Sequence, residues 1–380
     1  MGWFMYVKGP KIFAFLMLTL LIQSCSSERV QTSEKIDSFT EKLIQNVPKL
    51  ETNSKIVTGS STIIFPLWVL AVPESNLLIF AENSDKTIRL FDENGSEYSA
   101  VGGEGRGPGE FENINQLHFG YDKRLYVLDL KLMRLNIFSI NNEGLNFDSA
   151  IGLEIKPNLF LQTIYVTKLG NYGVFSQRDA DQQSESRFLL FRLDNDFLPV
   201  KQLLEMPGND QQQVSSNLFM DSYFGRRTYW DLHNEWFYYI TSHQPIIHKF
   251  SLKTESMNDT LHLDLPRRLN DLDNMSLIKD RLYFIKEDFH WKVLEESTSW
   301  PLFRDFRVQN NSMFFYTFFP NSDNGIYLYT DMTSKETKYF YTPYEFQRVS
   351  LRDETVYGID ASSTTGGYQI MAIDLLYNKE

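Results

Sequence analysis

The chain has 380 residues, with 49 Asp and Glu against 37 Lys and Arg, a formal charge of −12 and a single cysteine. That acidic balance excludes nucleic acid and anionic lipid as charge-recognised partners, because both need a basic footprint. One cysteine rules out internal disulfides and cysteine-cluster metal sites, while 15% aromatic residues, mostly Phe and Tyr, favour half-buried pleated surfaces.

Lys8 and Lys11 precede the run Ile12–Ile22, and no acidic residue occurs in the first 24 positions. Eleven residues are too few to span a hydrocarbon core, which takes about 20. A positive start, a short apolar run and a small residue at the cut describe a secretory signal. Ile22-Gln23-Ser24-Cys25 resembles the lipobox of bacterial lipoproteins, in which the cysteine is diacylated and becomes the first residue. The resemblance implies a signal peptide over residues 1–24 and lipid attachment at Cys25; a plain signal peptide with an incidental cysteine is the rival. Processing would leave 356 residues carrying a charge of −14. No Asp follows the cysteine in Ser26-Ser27-Glu28, so inner-membrane retention is not signalled. The expected place is the outer membrane, facing the periplasm or the cell surface, with the acyl chains as the only membrane contact.

Residues 25–55 form a polar tether. Within it Ile36, Phe39, Leu43, Ile44 and Val47 share one helical face before Pro48, which predicts one short amphipathic helix; full disorder is the alternative.

A folded body is predicted over residues 56–380, and repetition is its main signal. Leu78–Phe91 lies over Leu125–Phe138 at an offset of 47 residues without a gap. Each copy is a short strand, a polar turn and a second strand of alternating apolar residues ending on Phe. Asp92-Glu-Asn-Gly95 and Asn141-Asn-Glu-Gly144 follow as hairpin tips that need positive φ. Weaker copies pair Tyr172–Ser176 with Phe188–Phe191, Trp236–Ile240 with Ile246–Phe250, Met313–Thr317 with Gly325–Tyr329, and Thr355–Ile359 with Tyr368–Ile373. Six units of 40 to 50 residues or more indicate an all-β, six-bladed β-propeller, since no single unit can bury both faces of its sheet. Arg281–Ile285, in the long gap before the fifth hairpin, leaves room for a seventh blade or an extended fifth one. Ser60–Val72 is expected at the ring junction, where one of its strands would complete the last blade and remove an open edge.

Between the first two units runs Val101-Gly-Gly-Glu-Gly-Arg-Gly-Pro-Gly-Glu-Phe111. Its glycine spacing does not match a phosphate-cradling loop, and no Gly-Lys-Ser/Thr follows. Five glycines and Pro108 suit a tight inter-blade crossing, with Phe111 plugging the next blade. Arg106 and Glu104 are the residues that could instead face a ligand. Gly105–Phe111, Leu125–Asp129 and Arg134–Phe138 together resemble an NHL-type propeller repeat. With the lipobox in front, the chain resembles the six-bladed β-propeller lipoproteins of Bacteroidetes. The resemblance implies that Asp129 and Arg134 stabilise a turn as an ion pair, which Glu82 and Thr87 could not form in the first copy. It also makes Asp148-Ser149-Ala150 and Asp259-Thr260-Leu261 similar to short O-glycosylation signals of such bacteria.

Chemistry is sparse. His118, His233, His243, His248, His262 and His290 stand alone, with no H-x-H or HExxH pair, so no metal or cofactor is assigned. His118, near the start of an inner strand, is the only one with a candidate channel position. Asp179-Ala-Asp181 lacks the glycine and later Glu of a calcium loop. Arg226 and Arg227 fall in a predicted inner strand, Tyr223–Trp230. Adjacent strand residues face opposite ways, so one could reach the channel mouth and hold an anion or a sugar hydroxyl. With no catalytic signature, the first expectation is a binding or scaffold module for a glycan, peptide or envelope protein. The alternative, by analogy with NHL-like enzymes, is a lyase or hydrolase with a metal or substrate site in the central channel. Oligomeric state is not legible.

Overall fold

A computed structural model describes residues 44, 46–58, 63–154, 158–178, 185–215, 218–264, 290–292, 301–309, 311–317, 324–343, 346–361 and 368–376. Cys25 and the signal, Asp179–Asp181 and Arg281–Ile285 lie outside them. Of the predicted tether helix only Ile44 is described as helical.

The described strands form six antiparallel sheets. β1 (Glu51–Thr58) belongs to the last. The first is β2 (Pro66–Ala71), β3 (Leu78–Glu82), β4 (Thr87–Phe91) and β5 (Glu97–Gly102). The second is β6 (Gln116–Phe119), β7 (Arg124–Asp129), β8 (Arg134–Asn141) and β9 (Gly144–Gly152). The third runs β10 (Leu159–Thr167), β11 (Gly170–Arg178), β12 (Glu185–Leu193), β13 (Pro199–Ser215) and a short fifth strand, β14 (Leu218–Asp221). The fourth is β15 (Thr228–His233), β16 (Trp236–Thr241), β17 (Gln244–Ser251) and β18 (Ser256–His262). The fifth is β19 (Phe303–Gln309), β20 (Ser312–Thr317), β21 (Asn324–Asp331) and β22 (Thr337–Pro343). β23 (Phe346–Arg352), β24 (Thr355–Asp360) and β25 (Gln369–Leu376) complete the set, with β1 outermost against β25.

The predicted hairpins are the second and third strands of each blade, and their alternation explains the ring. Ile79 and Ala81 of β3 join Leu125 and Val127 of β7 in one core cluster, while Leu78 and Phe80 turn the other way onto Tyr357 and Ile359 of β24. On β7, Tyr126 and Leu128 face the third blade beside Ile164 and Phe175. Equivalent clusters join blades three and four, four and five, and five and six. Every sheet is thus apolar on both faces, which only stacking on two neighbours can satisfy.

Closure differs from expectation. The strand that completes the last blade is β1, with Glu51 opposite Leu376 and Ile56 opposite Met371. Ser60–Val72 supplies β2, the inner strand of the first blade, instead. The sheet therefore takes in residues 51–55, which the sequence places in the tether. The reason is physical: an outermost strand faces solvent on most sides, and Glu51–Ile56 are almost all exposed, so no apolar alternation marks them. Just upstream, Leu50 N–H donates to Tyr339 O at 2.7 Å and Tyr339 N–H to Pro48 O at 3.0 Å, pinning the same segment to β22. Within the long fourth-to-fifth connection, His290 Nδ1 accepts from Tyr223 N–H at 2.9 Å, and Trp291 packs 5.1 Å from Phe224.

Candidate functional site

The inner strands β2, β6, β10, β15, β19 and β23 line a central channel of about 1820 Å³. Because every blade repeats one up-and-down order, these strands enter at one mouth and leave at the other. An inner strand has one edge unpaired within its own sheet, and its backbone groups need partners. Side chains supply them across blade junctions. Gln116 bridges to the N–H and C=O of Ile164 at 2.8 and 3.0 Å, and His118 Nε2 accepts from Val166 N–H at 3.0 Å. Asp231 Oδ2 accepts from Val308 N–H at 2.8 Å, Arg307 Nε donates to Val349 O at 3.3 Å, and Ser350 Oγ accepts from Ala71 N–H at 3.0 Å. Trp230 Nε1–H donates to Thr163 Oγ1 at 3.2 Å.

His118 is therefore a structural acceptor. Burial holds its imidazole down at about 4, so it is neutral at physiological pH and its Nε2 lone pair is taken. Among the described residues no three His, Cys, Asp or Glu converge as a metal site.

Among the described residues the channel lining carries seven Lys and Arg against five Asp and Glu, the reverse of the balance in a protein of net charge −12. The cations concentrate on blades five and six. Arg307 pairs with Asp305 at 3.1 Å. Arg304 lies 4.3 Å above the Tyr316 ring, and Arg348 lies 4.8 Å above the Trp68 ring. Tyr316 stacks on Tyr327 at 4.7 Å, and the buried Tyr327 hydroxyl has no hydrogen-bond partner among the described residues. Asp231 is pushed up to about 6, chiefly by burial, against the opposing pull of Arg307 and of the Val308 and Leu232 N–H groups.

Arg227 lines this channel, whereas Arg226 turns to Asp210 at 3.0 Å. Both precede the strand, which is Thr228–His233 and not Tyr223–Trp230. Arg106 lies away from the channel. Its side chain is 79% exposed and its Nε donates to Glu112 at 2.6 Å. The glycine-rich segment crosses from β5 to β6. Gly102, Gly103 and Gly109 have positive φ, and a Cβ on Gly102 would sit 2.8 Å from Lys86 O. Phe111, fully buried, packs 6.1 Å from Phe138 between the first two blades.

Asp129 and Arg134 do not pair with each other, although they are register partners. Asp129 instead accepts four backbone N–H bonds, from Glu112, Asn113, Lys131 and Leu132, while Arg134 donates to the carbonyls of Arg106 and Glu110. Glu82 does the same work in the first blade, accepting from the N–H groups of Ile64, Phe65 and Ser84. The carboxylate serves as an anchor for the incoming loop, which is why Glu can replace Asp. Ser149 and Thr260 both stand exposed on outermost strands.

A family model described as a six-bladed beta-propeller matches residues 31–358. The chain belongs to this family. Solved structures resemble it at low identity. A protein of Bacteroides fragilis named as exported is 11% identical with a TM-score of 0.53, covering 86% of this chain and 96% of its own. A DUF4221-family member from Bacteroides vulgatus is 10% identical with a TM-score of 0.48, covering 87% of this chain and 98% of its own. A streptogramin B lyase is 10% identical with a TM-score of 0.47, covering 86% and 98%. The likeness to the Bacteroides fragilis protein, at 11% identity, speaks for the fold alone. No curated protein matches the chain.

Sequence reasoning passed over Arg304, Arg307, Arg348 and Trp68. The available signal was Phe303-Arg-Asp-Phe-Arg-Val-Gln309, where charged residues interrupt a strand whose Phe303, Phe306 and Val308 are core.

Proposed function

We propose that this propeller is an exported binding module, leashed to the outer membrane through Cys25, that receives part of a glycan or peptide in its central channel. The observation that carries the reading is the channel itself, about 1820 Å³ in volume and lined by aromatic rings and a local excess of cations. Rings offer flat faces to sugars or side chains, and guanidinium groups offer directed donors. The lipobox-like tetrad that ends on Cys25 supports the anchoring half.

Two measurements test the two halves. Full-length protein in detergent is screened on glycan and peptide arrays, and hydrogen exchange is followed with the best ligand. Protection confined to the inner strands β2, β6, β10, β15, β19 and β23, with the ligand recovered unchanged by mass spectrometry, is the expected result. Protection on the outer strands would refute channel binding, and a cleaved ligand would point to an enzyme. For anchoring, labelled palmitate is incorporated by the parent and not by Cys25→Ser; equal labelling would refute attachment there.

A further inference from the structure

His118, His243 and His290 each commit a ring nitrogen to a hydrogen bond, with Val166 N–H, Ser242 Oγ and Tyr223 N–H respectively. His248 and His262 do not. Among the described residues no group hydrogen-bonds either ring.

The fold sets these two rings side by side. β17 and β18 are antiparallel, with Ile246 opposite His262, Ile247 opposite Leu261 and His248 opposite Thr260 in unbroken register. Opposed residues point to the same side of a sheet, and alternate residues along a strand share a face. His248 and His262 are therefore diagonal neighbours on one face. Ile247 and Leu261 turn the other way, into the core between blades four and five. Diagonal neighbours on adjoining strands lie about 7–8 Å apart, less at Cβ, within the span of two long side chains. The channel lining includes neither histidine.

His248 is held in place. Its ring stacks on that of Tyr239, its register partner on β16, with centroids 4.4 Å apart and planes 9° apart. Stacking takes a ring face and leaves the nitrogens, which lie in the ring plane, open at the edge. Burial, and then the neighbouring His262, hold the His248 imidazole below its usual value, so at neutral pH it keeps a lone pair to give. His262 stands exposed at the end of β18.

Two such nitrogens discriminate among cations. Calcium and magnesium require oxygen ligands, whereas zinc, nickel and copper take imidazole readily. Among the described residues no third His, Cys, Asp or Glu joins the pair, so the other positions of a four-coordinate ion fall to water. We infer that His248 and His262 form a chelating site for a late divalent transition metal, of the zinc and nickel kind, on the face of blade four. The site is separate from the channel, and its water ligands leave the ion exchangeable.

Isothermal titration of untagged full-length protein in detergent tests it with zinc chloride and nickel chloride, and with calcium chloride for comparison. Near neutral pH one zinc or nickel ion per chain should bind, about tenfold or more tighter than calcium. His262→Ala should weaken that binding about tenfold or more, because a single imidazole is left. Since His262 is exposed, this change leaves the fold intact. His248→Gln should weaken it alike, whereas His243→Gln should leave it unchanged. Copper(II) at one equivalent gives a second readout, because its EPR spectrum counts bound nitrogens: two in the parent and fewer in His262→Ala. No binding of zinc or nickel, equal affinity for calcium, or unchanged affinity in folded His262→Ala would overturn the site. So would an equal loss in His243→Gln, or a parent copper spectrum with a single nitrogen.

Discussion

Replacing Asp129 tests the idea that a buried carboxylate fastens each incoming loop to its blade. Asp129 is fully buried, and its two oxygens accept backbone N–H bonds at 2.8 and 3.1 Å from Glu112 and Asn113, and at 3.0 and 2.9 Å from Lys131 and Leu132. Asp129→Ala orphans four donors, each costing about 1–3 kcal/mol where water cannot reach. These loops are only part-buried, so the low end applies and the total is about 4 kcal/mol. Asp129→Asn keeps one acceptor oxygen and sets an NH₂ against the other two donors, for about 2 kcal/mol. Glu82→Ala orphans three donors and should fall between, at about 3 kcal/mol. Urea unfolding followed by tryptophan fluorescence reads the order, with midpoints falling from parent through Asp129→Asn and Glu82→Ala to Asp129→Ala. A parent-like Asp129→Asn, or a loss below about 1 kcal/mol for Asp129→Ala, would refute the anchor.

Asp231 gives a pH prediction. Its native value of about 6 lies above the ordinary carboxylate value of 3.8, so its contribution is fully present below pH 4 and is lost as pH rises through 6. Urea midpoints of the parent minus those of Asp231→Asn should fall across that window by the equivalent of about 3 kcal/mol; a flat difference would contradict it. Gly95 has a φ of +78°, and a Cβ there would lie 1.9 Å from Val57 O, so Gly95→Ala should cost about 2–3 kcal/mol in thermal or urea melts. Removing residues 1–58 bares the edge of β25, and light scattering should show aggregates where a chain starting at residue 44 stays monodisperse.

The hairpins were legible because second and third strands are buried on both faces: Leu78–Ala81 and Leu125–Leu128 are nearly continuous apolar runs. Inner strands were less so. Half their residues face a wet channel, and Arg304, Asp305 and Arg307 break the alternation by which strands are read. β1 was hidden for the opposite reason, being a polar rim strand. The candidate site could not be seen in order of sequence at all, since Trp68 meets Arg348 only once the ring has closed. Asp129 illustrates a middle case. Its importance was readable from the repeat, but its partners are main-chain groups, which leave no mark in side-chain identity.

Glu51 and Leu376 are neighbours on the outermost pair of strands, so the polypeptide comes in and goes out at adjoining points of the torus wall. A leash fixed there would carry the wheel by its tyre, with neither opening of the hub turned into the attachment. A fluorophore or affinity tag fused downstream of Leu376 should likewise hang beside the molecule, clear of whatever passes through its middle.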